Sequence, residues 1–146
     1  MKTTIYNSML AGLIATIVLS VLMVMKGMMG LMPDVDVIAM LAEKMGSGAA
    51  MGWVGHFVIG IVGYGLAHAL VFSRLPFGNH WLRGLALGIA GWLGMMLVLM
   101  PMMGAGLFAL NMPSGIMAPM ATLILHAIFG IVFGLVYGAL AGRSTS

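Results

Sequence analysis

The sequence contains four long apolar runs, each of which is long enough to cross the hydrocarbon core of a lipid bilayer. About 20 apolar residues in a helix span such a core, and backbone groups inside lipid must be hydrogen-bonded within their own segment. Of the 146 residues, 62% are hydrophobic and only 6% are charged, whereas a soluble domain is about 25% charged. The chain therefore predicts an all-α, transmembrane four-helix bundle, and its composition argues against a water-soluble enzyme.

The apolar runs and the charges beside them predict the spans and their orientation. We expect one transmembrane domain over residues 1–146, with helices at about 6–30, 50–72, 83–103 and 119–141. A further short helix, at about 35–46 and capped by Asp34, has an apolar side and is expected on the outer membrane surface. The positive-inside rule places both termini in the cytoplasm. Four basic residues then share that side: Lys2, Arg74, Arg83 and Arg143.

The second and fourth runs share a string of residues that indicates an internal repeat. One reads His56-Phe-Val-Ile-Gly-Ile-Val and the other His126-Ala-Ile-Phe-Gly-Ile-Val, at an offset of 70 residues. Two tandem, pseudo-symmetric helical hairpins would explain this match. Chance similarity between two glycine-rich apolar helices is the alternative.

Small residues recur at intervals of four along the predicted helices. Residues four apart share a helix face, so such a row lets a neighbouring backbone approach closely. The chain has 22 glycines, and close packing between membrane helices accounts for them. The same rows allow homo-oligomers as readily as packing within one chain.

Four histidines are the main polar groups within or beside the apolar runs. His56 and His126 belong to the rows of small residues, so both are expected to face the bundle interior in the outer half of the membrane. Polar side chains at that depth need a partner and are functional candidates. Two such imidazoles can ligate haem iron, bind copper or contact a quinone; the alternative is a hydrogen bond between helices, to Thr16, Ser20 or the other histidine. His68 is expected to be structural, and His80 to be solvated in a loop.

The methionines are concentrated on the side that this topology places outside. Apart from Met1 and Met9, the 18 methionines fall into two equal groups, between residues 23 and 51 and between residues 95 and 120. Thioether sulfur is a soft ligand that suits Cu(I). With His56 and His126, four of these methionines are spaced to form a Met/His copper site: Met25, Met29, Met96 and Met100. Packing, or docking of a partner, is the alternative, because methionine also fills irregular gaps.

Other chemistry is poorly represented in the sequence. There is no cysteine, and all three acidic residues lie between positions 34 and 43. No nucleophile motif is present, so we expect no enzymatic activity. The absence of a membrane-embedded carboxylate counts against a drug or ion antiporter. The few scattered charges argue against a nucleic-acid partner. The loop 104–118 is rich in glycine and uncharged. It either stays outside the membrane or re-enters it. Non-helical backbone inside the membrane is tolerated only where it is buried in protein or lines a wet cavity.

The stretch from Gly12 to Ala42 resembles an uncharacterised family of small bacterial four-helix membrane proteins. The resemblance extends over His56 and the fourth helix. It rests first on these residues: Ala15-Thr16, Ser20, Met23, Met25-Lys26, Met28-Met29-Gly30-Leu31-Met32-Pro33, Asp36 and Met40-Leu41-Ala42. It implies an integral protein of the bacterial inner membrane and supplies no catalytic residues.

These observations predict a non-enzymatic binding or accessory protein with an outer-side Met/His pocket for Cu(I) or haem b. The first alternative is a structural or assembly subunit of a larger membrane complex that binds no ligand. A small channel or transporter is the second alternative. The bilayer is the one partner that the sequence requires, while a membrane-complex partner and a homo-oligomer both remain open.

Overall fold

The protein, in a computed structural model that describes residues 1–143, is built from four long helices and one short helix. In chain order they are α1 (Lys2–Met28), α2 (Val37–Lys44), α3 (Ala49–Arg74), α4 (His80–Met102) and α5 (Met117–Arg143). All except α2 are long and apolar enough to cross a membrane; at 1.5 Å per residue they measure about 35–40 Å. No strand occurs within residues 1–143. The predicted all-α, four-helix membrane fold is confirmed.

The observed helix ends differ from the predicted ends by a few residues, for local reasons. Helix α1 begins at Lys2 rather than at about residue 6, because a helix does not have to stop where its apolar run stops: water can satisfy the backbone beyond the lipid. Helix α4 begins at His80 rather than at residue 83. Asn79 before it is extended, with φ −109° and ψ 134°, and so marks the start of the helix.

The short helix α2 is capped by a different aspartate from the one predicted. The Asp36 side chain accepts a hydrogen bond from the Ala39 backbone N–H at 3.0 Å, which is the role expected of an N-cap residue. The predicted cap, Asp34, is occupied elsewhere: its carboxylate accepts hydrogen bonds from the hydroxyl and the backbone N–H of Ser114 at 2.6–3.0 Å. A contact 80 residues away in the chain therefore determines the conformation at Asp34.

The apolar side of α2 is covered by protein. Ile38 and Leu41 are buried, and Gly52 of α3 lies so close that an added Cβ would meet the Ile38 carbonyl oxygen and, at 3.2 Å, the Ala42 side chain. The apolar side of α2 therefore packs against the first turns of α3, while the position of this helix at the outer membrane surface stays a prediction.

Helix α1 packs between α3 and α5, and α4 packs along α5. Glycine permits the closest approaches. A Cβ at Gly12 would meet the Gly60 carbonyl oxygen on α3, and a Cβ at Gly84 would lie 2.7 Å from the Cα of Gly134 on α5. The order of neighbouring helices is therefore α3, α1, α5, α4. By contrast, α3 and α4 contact each other mainly near the connection between them, around residues 64–74.

The end of the bundle that carries α2 and the loop between α4 and α5 is called the capped end here. The loop is folded onto the protein: Ala105 and Ala109 are buried in one cluster with Met96 and Met100 of α4. At Phe108 the backbone is left-handed, with φ 53°, and this allows the tight turn. Lys2, where α1 begins, and Arg143, the last residue that the structure describes, belong to the opposite end.

A cavity between the helices with two histidines

The four long helices enclose a cavity of about 870 Å³. Its lining comes from all four of them and from the segment between α1 and α2, and it is largely apolar. Exposed residues of α3 (Ile59 and Gly63) and of α4 (Ala90 and Gly94) are part of the lining. The cavity therefore opens sideways between α3 and α4, where these two helices do not pack together.

Both helices beside this opening contain a π-helical turn. The turns are Ile59–Gly63 in α3 and Met95–Leu99 in α4, and residues of each turn line the cavity. A π-turn widens a helix by one residue, and such turns are frequent at functional sites. Their position here, on both sides of one opening, singles out the cavity as the candidate site.

His56 lines the cavity from α3 and is held by Ser20 of α1. The distance from its Nε2 to the Ser20 Oγ is 3.2 Å. The Ser20 hydroxyl also lies 2.7 Å from the Thr16 carbonyl oxygen, which can only accept, so the one hydroxyl proton of Ser20 is used there. Ser20 must then accept from His56, and in the neutral imidazole Nε2 carries the proton while Nδ1 keeps a lone pair.

His126 lines the cavity from α5 and is held by its own helix. Its Nδ1 lies 2.8 Å from the Thr122 carbonyl oxygen. Because a carbonyl oxygen has no proton to give, Nδ1–H is the donor. In the neutral ring the lone pair is therefore on Nε2.

His56 and His126 line the same cavity, although α3 and α5 are separated by α1. Neither the Nδ1 of His56 nor the Nε2 of His126 is among the fully buried polar atoms without a partner. Each lone-pair nitrogen therefore keeps accessible surface in a side chain that lines the cavity. The cavity thus offers two hydrogen-bond acceptors, or two metal ligands, within walls that are otherwise largely apolar and that also include Lys26, Asp36 and Tyr64.

The four methionines predicted as metal ligands are not brought to these histidines. Met25 and Met29 are exposed, at 52% and 68% of their surface, and Met96 and Met100 are buried in the cluster at the capped end. None of the four lines the cavity. In a helix that is apolar all round, the spacing of methionines does not tell which of them faces inward.

Two other methionines, Met23 of α1 and Met95 of α4, do line the cavity. Within residues 1–143 no group of three or more histidine and acidic side chains is placed to hold a metal ion. A metal in the cavity would therefore have to use the two imidazoles together with thioethers.

Three further lining residues were not predicted as site residues. Trp53 packs its ring edge against His56, with ring centroids 5.8 Å apart, and Tyr64 packs against Phe129 of α5 at 4.7 Å. Lys26 donates from its Nζ to the carbonyl oxygens of Met32 and Val35 at 3.0 and 2.7 Å. Tyr64 lies eight residues after His56, two turns along the same face, so that spacing was an available signal.

The remaining histidines lie nearer the end of the bundle that carries the termini. The buried His68 ring is held through Nδ1 by the Ser8 hydroxyl at 2.9 Å and packs against Phe133 and Tyr137, as a structural residue would. His80 was expected in a solvated loop, which is wrong. It is the first residue of α4 and is half-buried, with its ring 5.5 Å from that of Tyr137.

A family model described as a family of unknown function, DUF6789, matches residues 2–146. No curated protein and no solved structure matches the chain. The match covers nearly the whole chain but supplies no ligand and no site residue.

Proposed function

We propose, from the premise that the chain belongs to DUF6789, a family of unknown function, that it is a non-enzymatic membrane binding protein. Its ligand is a lipophilic small molecule that enters the cavity from the side, between α3 and α4. The polar end of the ligand lies at His56 and His126, and its apolar body contacts the remaining lining. The single observation that carries the proposal is the lateral cavity of about 870 Å³ with two imidazoles in a largely apolar wall.

Size and composition support a small organic ligand. Ligand cavities measure about 300–1,000 Å³ and are lined mostly by apolar and aromatic side chains with a few polar groups that orient the ligand. Polar side chains inside membrane segments are rare and usually functional. A purely structural pair of histidines would not require an open space beside the rings, nor two helices that are widened along it.

The orientation of the protein is part of the proposal. The positive-inside rule puts the termini and the α3–α4 connection in the cytoplasm, because Lys2, Arg74 and Arg83 all belong to that end. The capped end and the two histidines then lie toward the outer face of a bacterial inner membrane. A ligand would enter from the outer half of the bilayer.

A bound metal is the second candidate, and one observation favours it. Metal-ligating histidines usually donate their second ring N–H to a fixed acceptor, and both imidazoles do so here, to Ser20 and to Thr122. Cu(I) would be held by the two imidazoles and the thioethers of Met23 and Met95, and haem b would be held by the two imidazoles. The size of the cavity favours an organic ligand over a lone copper ion.

The test starts from protein purified in mild detergent from its native membrane. Solvent extraction followed by mass spectrometry is expected to find one lipophilic compound enriched over the bulk lipid, and elemental analysis measures copper and iron per chain. Near-stoichiometric copper or iron would refute the lipophilic ligand and favour the bound metal. No ligand and no metal would refute both and favour a structural subunit, a channel or a transporter.

Two matched variants locate the ligand. Ala90→Phe places a large side chain on the cavity lining, and Ala139→Phe places the same side chain at an exposed position of α5 that does not line the cavity. We expect Ala90→Phe to lose the co-purified compound and Ala139→Phe to retain it. Equal retention by both variants would show that the compound binds outside the cavity.

A further inference from the structure

The hydrogen bonds of the two imidazoles restrict the chemistry of the polar end of the ligand. From this restriction, which rests on the proposed function, we infer that the cavity selects a lipophile whose head donates two hydrogen bonds. The class that fits is an alkylated hydroquinone, that is, an aromatic ring with two hydroxyl groups, in preference to the corresponding quinone.

The restriction is strictest at His126. Its Nδ1–H is committed to the Thr122 carbonyl oxygen at 2.8 Å, so Nε2 can only accept while the ring is neutral. To donate to a ligand from Nε2, a neutral ring would have to move its proton there. The Nδ1 lone pair would then face the carbonyl oxygen, and a hydrogen bond would become a repulsion.

His56 is restricted in the same sense. Its Nε2–H is committed to Ser20, whose own proton goes to the Thr16 carbonyl oxygen, and this leaves Nδ1 as an acceptor. The doubly protonated form would relax the restriction, because both nitrogens would then donate. Of the three acidic residues, only Asp36 lines the cavity, and its carboxylate already accepts from the Ala39 backbone N–H as the cap of α2. A charge without a partner inside a membrane is costly.

The shape of the site favours an aromatic head over an aliphatic alcohol. His56 and His126 come from two different helices, α3 and α5, and line one cavity, so a head that reaches both acceptors needs two donors. The two hydroxyl groups of a hydroquinone lie at opposite ends of a flat ring. Trp53, Tyr64 and Phe129 line the same cavity and supply aromatic surface for offset or edge-on contacts. The opening between α3 and α4 gives an alkyl tail a way into the lipid.

The experiment compares the two oxidation states of one probe on the full-length protein in lipid nanodiscs. The probe is a decyl-tailed benzoquinone, fully oxidised or kept reduced by excess dithionite under argon, and the readout is quenching of tryptophan fluorescence by the probe. We expect the reduced form to bind about tenfold more tightly, which corresponds to about 1.4 kcal/mol, because only the reduced form can donate to the two imidazoles. Equal affinities, or tighter binding of the oxidised form, would overturn the inference.

Two substitutions at one position separate hydrogen bonding from shape. His126→Phe removes the acceptor and is expected to reduce the preference for the reduced form several-fold. His126→Gln keeps an acceptor and is expected to retain most of that preference. Loss of the preference in both variants, or in neither, contradicts the role assigned to the Nε2 lone pair.

The controls distinguish failure of this inference from failure of the proposed function. If Ala90→Phe abolishes binding of both probe forms but wild type does not prefer the reduced form, only the hydroquinone inference fails. If neither probe form binds but another compound co-purifies with wild type and is lost in Ala90→Phe, again only the hydroquinone inference fails. If neither form binds and no compound co-purifies, the proposed function fails and the inference fails with it.

Discussion

Replacing Gly84 with alanine is expected to destabilise the protein by about 3 kcal/mol, although the change adds a single methyl group. The added Cβ would lie 2.6 and 2.7 Å from the N and Cα atoms of Gly134 and closer still to the Gly130 carbonyl oxygen. Ordinary carbon–carbon contacts are about 3.5–4.0 Å. All three obstructing atoms are backbone atoms of α5, so no rotamer change can remove the overlap.

The two helices would therefore have to separate by about 1 Å, the difference between those distances. Overpacking in a well-packed interior costs about 1–3 kcal/mol, and the upper end applies where rigid backbone has to move. Membrane helices depend on such close packing, because lipid tails are as apolar as the side chains and no hydrophobic effect drives the helices together. The interactions lost by the separation are therefore not regained elsewhere.

Gly94 of the same helix is the matched control. A Cβ added there has no neighbour within 4 Å, and the backbone is helical, with φ −58° and ψ −43°. Gly94→Ala should therefore stabilise the protein by about 0.5–1 kcal/mol, the usual difference between glycine and alanine inside a helix. The assay is reversible unfolding by SDS in mixed micelles, followed by circular dichroism. A free energy of unfolding for Gly84→Ala within about 0.5 kcal/mol of wild type, well below the usual cost of overpacking, would refute the assignment of this contact. Changes of the same sign in both variants would refute it too.

Three further predictions concern the capped end and the orientation. Hydrogen bonds from Ser114 hold the pKa of the Asp34 carboxyl below its usual range. Their stabilising effect is therefore fully present above pH about 4, and it is lost as the pH falls through the lowered pKa. Ser114→Ala should weaken this acid sensitivity of thermal unfolding, and an unchanged acid profile would contradict the prediction. Because the chain has no cysteine, a single introduced cysteine can be labelled without background. Leu110 is exposed and Ala109 is 1% exposed, so Leu110→Cys should react with a water-soluble maleimide much faster than Ala109→Cys. Equal rates would contradict the fold of the loop. In oriented spheroplasts the same reagent should reach Leu110→Cys from outside and Gly78→Cys only after lysis; the reverse pattern would invert the proposed orientation.

The four-helix fold could be predicted from the sequence because length and hydropathy decide it. An apolar run of some 20 residues with almost no charge has few alternatives to a membrane helix. The histidines could be assigned to the interior for a related reason: the rows of small residues mark the faces where helices meet, and His56 and His126 lie on those rows. Both side chains line the central cavity.

The methionines could not be assigned in the same way. In soluble proteins the apolar side of a helix is the buried side, but a membrane helix is apolar on its lipid side as well. Met23 and Met25 are two positions apart on α1 and are therefore about 200° apart around it, so only one of them can face the cavity. Met23 does so, and Met25 is 52% exposed. Nothing in the local composition distinguishes them.

The loops at the capped end were predictable only in part, because their structure depends on distant partners. Asp34 and Asp36 are both plausible helix caps by residue type, and the bond from Ser114 to Asp34 decides between them. The cavity has a similar origin: it exists because α3 and α4 do not pack together over much of their length, and the sequence of either helix alone does not reveal a missing contact.

The bundle therefore combines close contacts with one open side, and the two should respond differently to substitution. Along α1–α3 and α4–α5, glycine backbones touch, so added volume there forces helices apart. Between α3 and α4 the lining residues, among them Ala90 and Gly94, face open space, so added volume there fills the cavity without straining the backbone. If the cavity is a binding site, Ala90→Phe on the open side should lower occupancy without destabilising the protein, and changes along the close contacts should destabilise it first. If the cavity is only a packing defect, Ala90→Phe should fill it with no compound lost.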